Sequence, residues 1–220
     1  MRSFLADLNR PAVDAFLTAV DEVMNSNTFL LKVRTQSQVT RDNRHEVLST
    51  FLRDPLFHEM MLHADQERDW WIFHEVLWQT PDPSLVNSTG AGLWRMPRDL
   101  HLTLEPMDET AFLARLRWML CGAFSPYRGH LDEERAEETI GAFLREVFDP
   151  DHRPASSREP QRLLHGWSFA AVKPDFLPST EYYTGKPCPD PAYFDGGESD
   201  TATLAYRDEI FFLLLTNGSP

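Results

Sequence analysis

Residues 202–216 read ATLAYRDEIFFLLLT, and this stretch decides the fold. Two apolar runs, Ala202–Tyr206 and Ile210–Thr216, flank a charged break, with a tight turn expected at Arg207-Asp208. Ile210–Leu215 is apolar for six residues without interruption, the longest such run in the chain. A bilayer span needs about 20 apolar residues, so this run is far too short to cross one. It is also too apolar for a strand with one wet face, and is expected to lie in the centre of a sheet, covered on both sides.

The segments around this hairpin supply more of the sheet. Trp167–Val172 is a further candidate strand, and Leu30–Val39 another. Trp70–Trp78 is rich in aromatic residues on both faces and reads as a covered strand. Leu100, Leu102 and Leu104 alternate with His101, Thr103 and Glu105, the period of a half-buried strand. Trp70–Trp78 and this strand are expected to pair as a hairpin, across a loop running from Thr80 to Gly92.

Between the strands the period changes to that of a helix. Val13, Phe16, Leu17, Val20 and Met24 form one stripe on a helix from Asn9 to Asn25, with Asn9 as its cap and Pro11 in its first turn. Val47, Leu48, Phe51 and Leu52 suit a helix interrupted at Asp54-Pro55, with a second short helix starting at Pro55. Phe112, Leu113, Leu116, Met119 and Leu120 point inward from a helix spanning Asp108 to Phe124. Ala136, Ile140, Phe143, Leu144 and Val147 do so from one spanning Asp132 to Phe148, whose first turn holds Asp132, Glu133 and Glu134, as the helix dipole favours. The order helix, strands, helices, strands predicts an α+β fold: a mixed or mainly antiparallel sheet packed against three or four helices, in a single domain spanning residues 1–220. Residues 149–162, with three prolines and several charges, read as a mobile loop or linker.

Composition narrows the function classes. Hydrophobic residues make up 42% of the chain and charged residues 25%, the proportions of a soluble globular domain. The formal net charge is −13, and the excess is even: residues 1–110 carry 10 basic and 17 acidic side chains, residues 111–220 carry 11 and 17. A field of this sign repels nucleic acid and anionic membrane surfaces and attracts a basic protein. Solubility alone is also served by it. The pattern sets no oligomeric state. Two cysteines, Cys121 and Cys188, make no disulfide framework and have no second cysteine at zinc spacing. With no apolar leader in Met1–Leu8, the expectation is a cytoplasmic protein, with Cys121 a buried structural thiol.

No motif names a reaction. His58 and His63 lie five apart, which on a helix rotates them by about 140°, so they cannot share a metal as histidines four apart do. No Gly-x-Ser-x-Gly elbow, phosphate loop or dinucleotide fingerprint occurs, and Asp195–Asp200 does not follow the spacing of a calcium loop. No cofactor and no metal is expected. The pairs His74 with Glu75 and His101 with Glu105 supply a histidine and a carboxylate, the minimum for general acid–base chemistry, though ordinary core and surface roles account for them better.

The most unusual stretch is 174–200. Five prolines interleave with Phe176, Tyr182, Tyr183, Tyr193 and Phe194 and with Asp175, Glu181, Asp190, Asp195, Glu198 and Asp200. Rigid aromatics beside carboxylates suit a basic partner. Tyr182, Tyr183, Tyr193, Phe194, Asp195, Glu198 and Asp200 are therefore the candidate binding residues. Together these features favour a non-catalytic intracellular binding protein that sequesters or regulates a basic protein partner. It would resemble an immunity protein against a toxin in physical type and not in sequence. The alternatives are a small-molecule hydrolase or other acid–base enzyme using His74, Glu75, His101 and Glu105, and a structural or regulatory subunit.

Overall fold

The structure is a computed structural model, and it describes residues 10–54, 56–57, 102–127, 129–149, 160–172 and 201–218. Its centre is a five-stranded, wholly antiparallel sheet. In chain order the strands are β1 (Ser26–Arg34), β2 (Leu104–Met107), β3 (Ser168–Val172), β4 (Thr201–Arg207) and β5 (Ile210–Gly218), arranged β1-β5-β4-β3-β2. The helices are α1 (Pro11–Met24), α2 (Arg44–Leu52), α3 (Glu109–Cys121), α4 (Glu133–Phe148) and a single turn, α5 (Pro160–Leu163). The architecture is α+β, as the sequence pattern predicts.

Strand β5 is central, between β1 and β4, and its continuous apolar run has a direct cause. Phe211, Leu213 and Leu215 enter one core, while Phe212 and Leu214 enter the other. The turn to β4 falls at Asp208-Glu209, one residue later than expected. Arg207 pairs with Ile210 and so belongs to the strand. Asp208 adopts a φ of 52°, the left-handed value that two-residue hairpin turns require.

One face of the sheet is covered by α1, α3 and α4, and every residue expected to point inward from these helices is buried. Phe16 and Phe143 stack at 4.3 Å between α1 and α4, and Phe112 stacks on Phe169 of β3 at 4.4 Å. Phe148 meets Trp167 and Phe212 edge-on. Each such ring contributes roughly 2–3 kcal/mol by burial, with a further increment of about 1 kcal/mol from ring geometry. On the opposite face, Phe29, Leu31, Val33, Leu204 and Leu213 pack with Leu48, Phe51 and Leu52 of α2.

Helix ends show local chemistry at work. Asp108 and Asp132 cap α3 and α4, their carboxylates accepting from Ala111 N at 2.7 Å and Arg135 N at 2.9 Å. Helix α1 starts differently from expectation. Its capping position is Arg10, without a side-chain cap; the free amide of Ala12 instead donates to Glu146 Oε2 of α4 at 3.0 Å. Helix α3 stops at Cys121, short of Phe124.

Strand β1 begins four residues before the expected Leu30 and ends five before Val39. Asn25, with a φ of 48°, ends α1 and turns the chain directly into β1. Ser26 and Thr28 are buried polar residues whose hydroxyls contact each other at 3.2 Å, so the strand's start carries no apolar signal. Val39 is buried in a connection, its amide bonded to Asp208 O. Strand β2 pairs with β3, and among the described residues it is an edge strand. The expected strand Trp70–Trp78, the Thr80–Gly92 loop, most of the short helix from Pro55 and most of the 149–162 loop lie outside the described residues.

Candidate acidic and aromatic docking surface

Helices α3 and α4 are antiparallel neighbours joined by residues 122–132, and this corner carries the most distinctive described surface. Trp118, Phe124 and Tyr127 are 36%, 55% and 74% exposed. Trp118 lies off the inward stripe of α3, on the same side as Arg117 and Cys121. The connection leads into Asp132, Glu133 and Glu134 at the start of α4, exposed as Glu138 is, and the charges of Asp132, Glu133 and Glu137 bear on Cys121, three residues after Trp118.

The corner is held in shape by its own hydrogen bonds. Leu131 N donates to Leu120 O at 3.0 Å, and Gly129 N to Ser125 Oγ at 2.9 Å. His130 Nε2 contacts Ala123 O at 2.7 Å. A Cβ at position 129 would stand 3.2 Å from Glu22 O of α1, so a glycine lets the connection lie against the end of that helix. Arg117 forms a two-pronged ion pair with Glu137, its Nη2 donating to Oε2 at 3.1 Å, which ties α3 to α4. A connection ordered by its own hydrogen bonds has less backbone freedom to lose on binding.

Cys121 is exposed at the end of α3, and the expectation of a buried structural thiol is corrected. Met119 and Leu120 take the inward positions, which leaves residue 121 beside 117 and 118 on the outer face. Partial burial pushes its thiol pKa up, and the negative charges of Glu133, Glu137 and Asp132 push it further the same way. The thiol is therefore held in its unreactive protonated form.

Of the residues singled out from sequence, Glu105 is described. It lies exposed on β2, and its charge acts on Arg115 of α3, whose pKa is lowered by burial and raised by Glu105. Arg115 reaches over the sheet to Thr203 Oγ1 at 3.3 Å and Ala202 O at 3.4 Å. His74, Glu75, His101 and the loop residues Tyr182, Tyr183, Tyr193, Phe194, Asp195, Glu198 and Asp200 lie outside the described residues. Among the described residues no group of three histidine, cysteine or carboxylate side chains is placed to hold a metal, and no helix is long and apolar enough to cross a membrane. Compared with known protein families, curated proteins and solved structures, the chain matches none.

The aromatic corner does not stand out in the sequence, because its three rings are spread over a helix end and a short connection and form no motif. The signal it carries is a large ring, Trp118, off the apolar stripe of α3, with Phe124 and Tyr127 following within one short connection.

Proposed function

We propose that this protein is a non-catalytic binding protein that sequesters or regulates a basic protein partner, with the α3–α4 corner as part of its docking surface. The observation that carries the reading is the set of exposed rings Trp118, at the end of α3, and Phe124 and Tyr127, in a hydrogen-bonded connection that leads into the exposed carboxylates of Asp132, Glu133 and Glu134. Exposed aromatics are the common anchors of protein interfaces. Carboxylates around them select a cationic partner and speed its approach, and a net charge of −13 adds a field of the same sign. The residues Tyr182, Tyr183, Tyr193, Phe194, Asp195, Glu198 and Asp200 repeat the pairing of ring and carboxylate in sequence, and the proposal includes them as a second part of the surface.

Affinity capture from a host lysate tests this, with the full chain and a Phe124→Ala/Tyr127→Ala variant as baits. Both rings are exposed, so the variant is expected to fold. The expected result is one basic protein retained at low salt, released as salt rises, and bound at least about tenfold more weakly by the variant. A partner of acidic composition, or one held equally by the variant, would overturn the assignment of this surface. No protein retained at low salt would overturn the function.

A further inference from the structure

A cleft of about 500 Å³ opens at the other end of α3, where β2, β3 and β4 meet the start of α2. Pro106, Met107, Trp167 and Phe169 supply apolar walls, and Arg41, Arg44, Ser168 and Tyr206 supply polar ones. Its volume is that of a small-molecule site. Two features set it apart from an ordinary surface depression.

The first is Arg44. It is only 9% exposed, it lines the cleft, and its Nη1 donates to the hydroxyl of Tyr206 at 3.1 Å. Among the described residues it has no carboxylate partner. A guanidinium withdrawn from water normally stands opposite an anion, because its desolvation is otherwise uncompensated. Arg41, exposed, adds a second positive charge to the same wall. The second feature is Trp167, a buried residue of the cleft wall whose indole Nε1 has no hydrogen-bond acceptor among the described residues. Arg41, Arg44 and Trp167 thus bring donors to the cleft wall, and the indole of Trp167 has no acceptor among the described residues.

We propose that the cleft binds a small organic oxyanion, a carboxylate or a phosphate ester on a compact apolar body. The head group would lie against Arg44 and Arg41, where a planar guanidinium can grip two oxygens at once. The body would lie against Met107, Pro106 and Phe169. Asp108 and Glu109 stand on the remaining rim, and Asp108 is engaged in capping α3 at Ala111 N. With Arg41 and Arg44 they bring the formal charge of the lining to zero, so one head group can sit at the arginine side while a polyanion such as a nucleoside triphosphate is disfavoured. The site is independent of the partner surface. The 13 residues of α3 separate the two by roughly 20 Å.

Isothermal titration calorimetry of the full chain with benzoate, phenyl phosphate, inorganic phosphate and a nucleoside triphosphate tests the proposal. Benzoate or phenyl phosphate is expected to bind one site per chain, at least about tenfold more tightly than inorganic phosphate. Whichever of the two binds more tightly identifies the head group. Arg41→Ala, at an exposed position, is expected to weaken that binding by about tenfold. Arg44→Lys keeps the charge but loses the planar fork, and is expected to weaken it as well; circular dichroism checks its fold, and Arg41→Ala decides alone if it does not fold. No heat with any probe at millimolar concentration overturns the site. Binding that Arg41→Ala leaves unchanged overturns it too, and tightest binding by the triphosphate overturns the ligand class.

Discussion

The two ends of strand β4 treat buried hydroxyls in opposite ways. On the helical face, Thr216 pairs in register with Thr28 on one side and Thr201 on the other, and all three are buried. The Oγ1 atoms of Thr216 and Thr201 have no hydrogen-bond partner among the described residues. On the other face, Tyr206 is equally buried, but its hydroxyl accepts from the guanidinium of Arg44. At the Thr201 end, two neighbouring hydroxyls lie unsatisfied beneath a face covered by three helices. At the Tyr206 end, the hydroxyl stands where a guanidinium needs an acceptor, at the wall of a cleft. Burial alone is therefore a poor guide to what a polar residue contributes; its partner decides the sign.

The helical face should show the largest response to mutation. Phe143 is fully buried and stacked on Phe16, and Phe143→Ala removes that stack and leaves a cavity. The expected loss is about 3–5 kcal/mol of unfolding free energy in chemical denaturation. A loss under about 1 kcal/mol would mean that the α1–α4 contact closes up around the deletion and does not carry the face.

How much of this was legible in the sequence follows the reach of each interaction. The helices were read from period alone, since inward residues such as Phe112, Leu116, Ile140 and Phe143 recur within one segment. The central strand was legible because both its faces are apolar. Strand β1 was misplaced because Ser26 and Thr28 are buried by pairing with the last strand and not by their own character. The N-terminus of α1 was misread for a similar reason, its acceptor Glu146 lying 134 residues away. The cleft was invisible: Arg44 and Tyr206 are 162 residues apart, and neither belongs to a motif. Periodicity reports what a residue's neighbours in sequence do, and a site assembled from distant elements leaves no period.

A middle-sized effect tests the contrast between hydroxyls directly. Tyr206→Phe strips a buried guanidinium of its acceptor and should cost about 1–3 kcal/mol. Thr216→Val replaces an unpartnered hydroxyl by a methyl group of similar size in a strand that favours branched residues. It should be neutral or stabilise by up to about 1 kcal/mol. Measuring both in one denaturation series is the check. Equal losses from the two variants would show that the hydroxyl of Thr216 has a partner after all, and the contrast between the two ends of β4 would disappear.

The smallest effect is kinetic and belongs to the acidic corner. The thiolate is the form of Cys121 that reacts with alkylating agents, so reactivity at a given pH follows the thiolate fraction. Because burial, Glu133, Glu137 and Asp132 all raise its pKa, Cys121 should react more slowly with iodoacetamide at pH 8 than an unfolded cysteine does, despite its exposure. Glu133→Gln removes one negative charge and lowers the pKa, which should raise the rate about two- to threefold. Burial is the largest cause and stays in place, so the rate should remain below that of the unfolded chain. Added salt should narrow the gap between the two proteins, since it screens the charge in one and has less to screen in the other. The sequence contains two cysteines, so the rate is read at Cys121 by peptide mass analysis. A Cys121 that reacts as fast as the unfolded chain would mean that the carboxylates of α4 do not bear on the end of α3, and the acidic field proposed to draw a basic partner to Trp118 and Tyr127 would lose its local support.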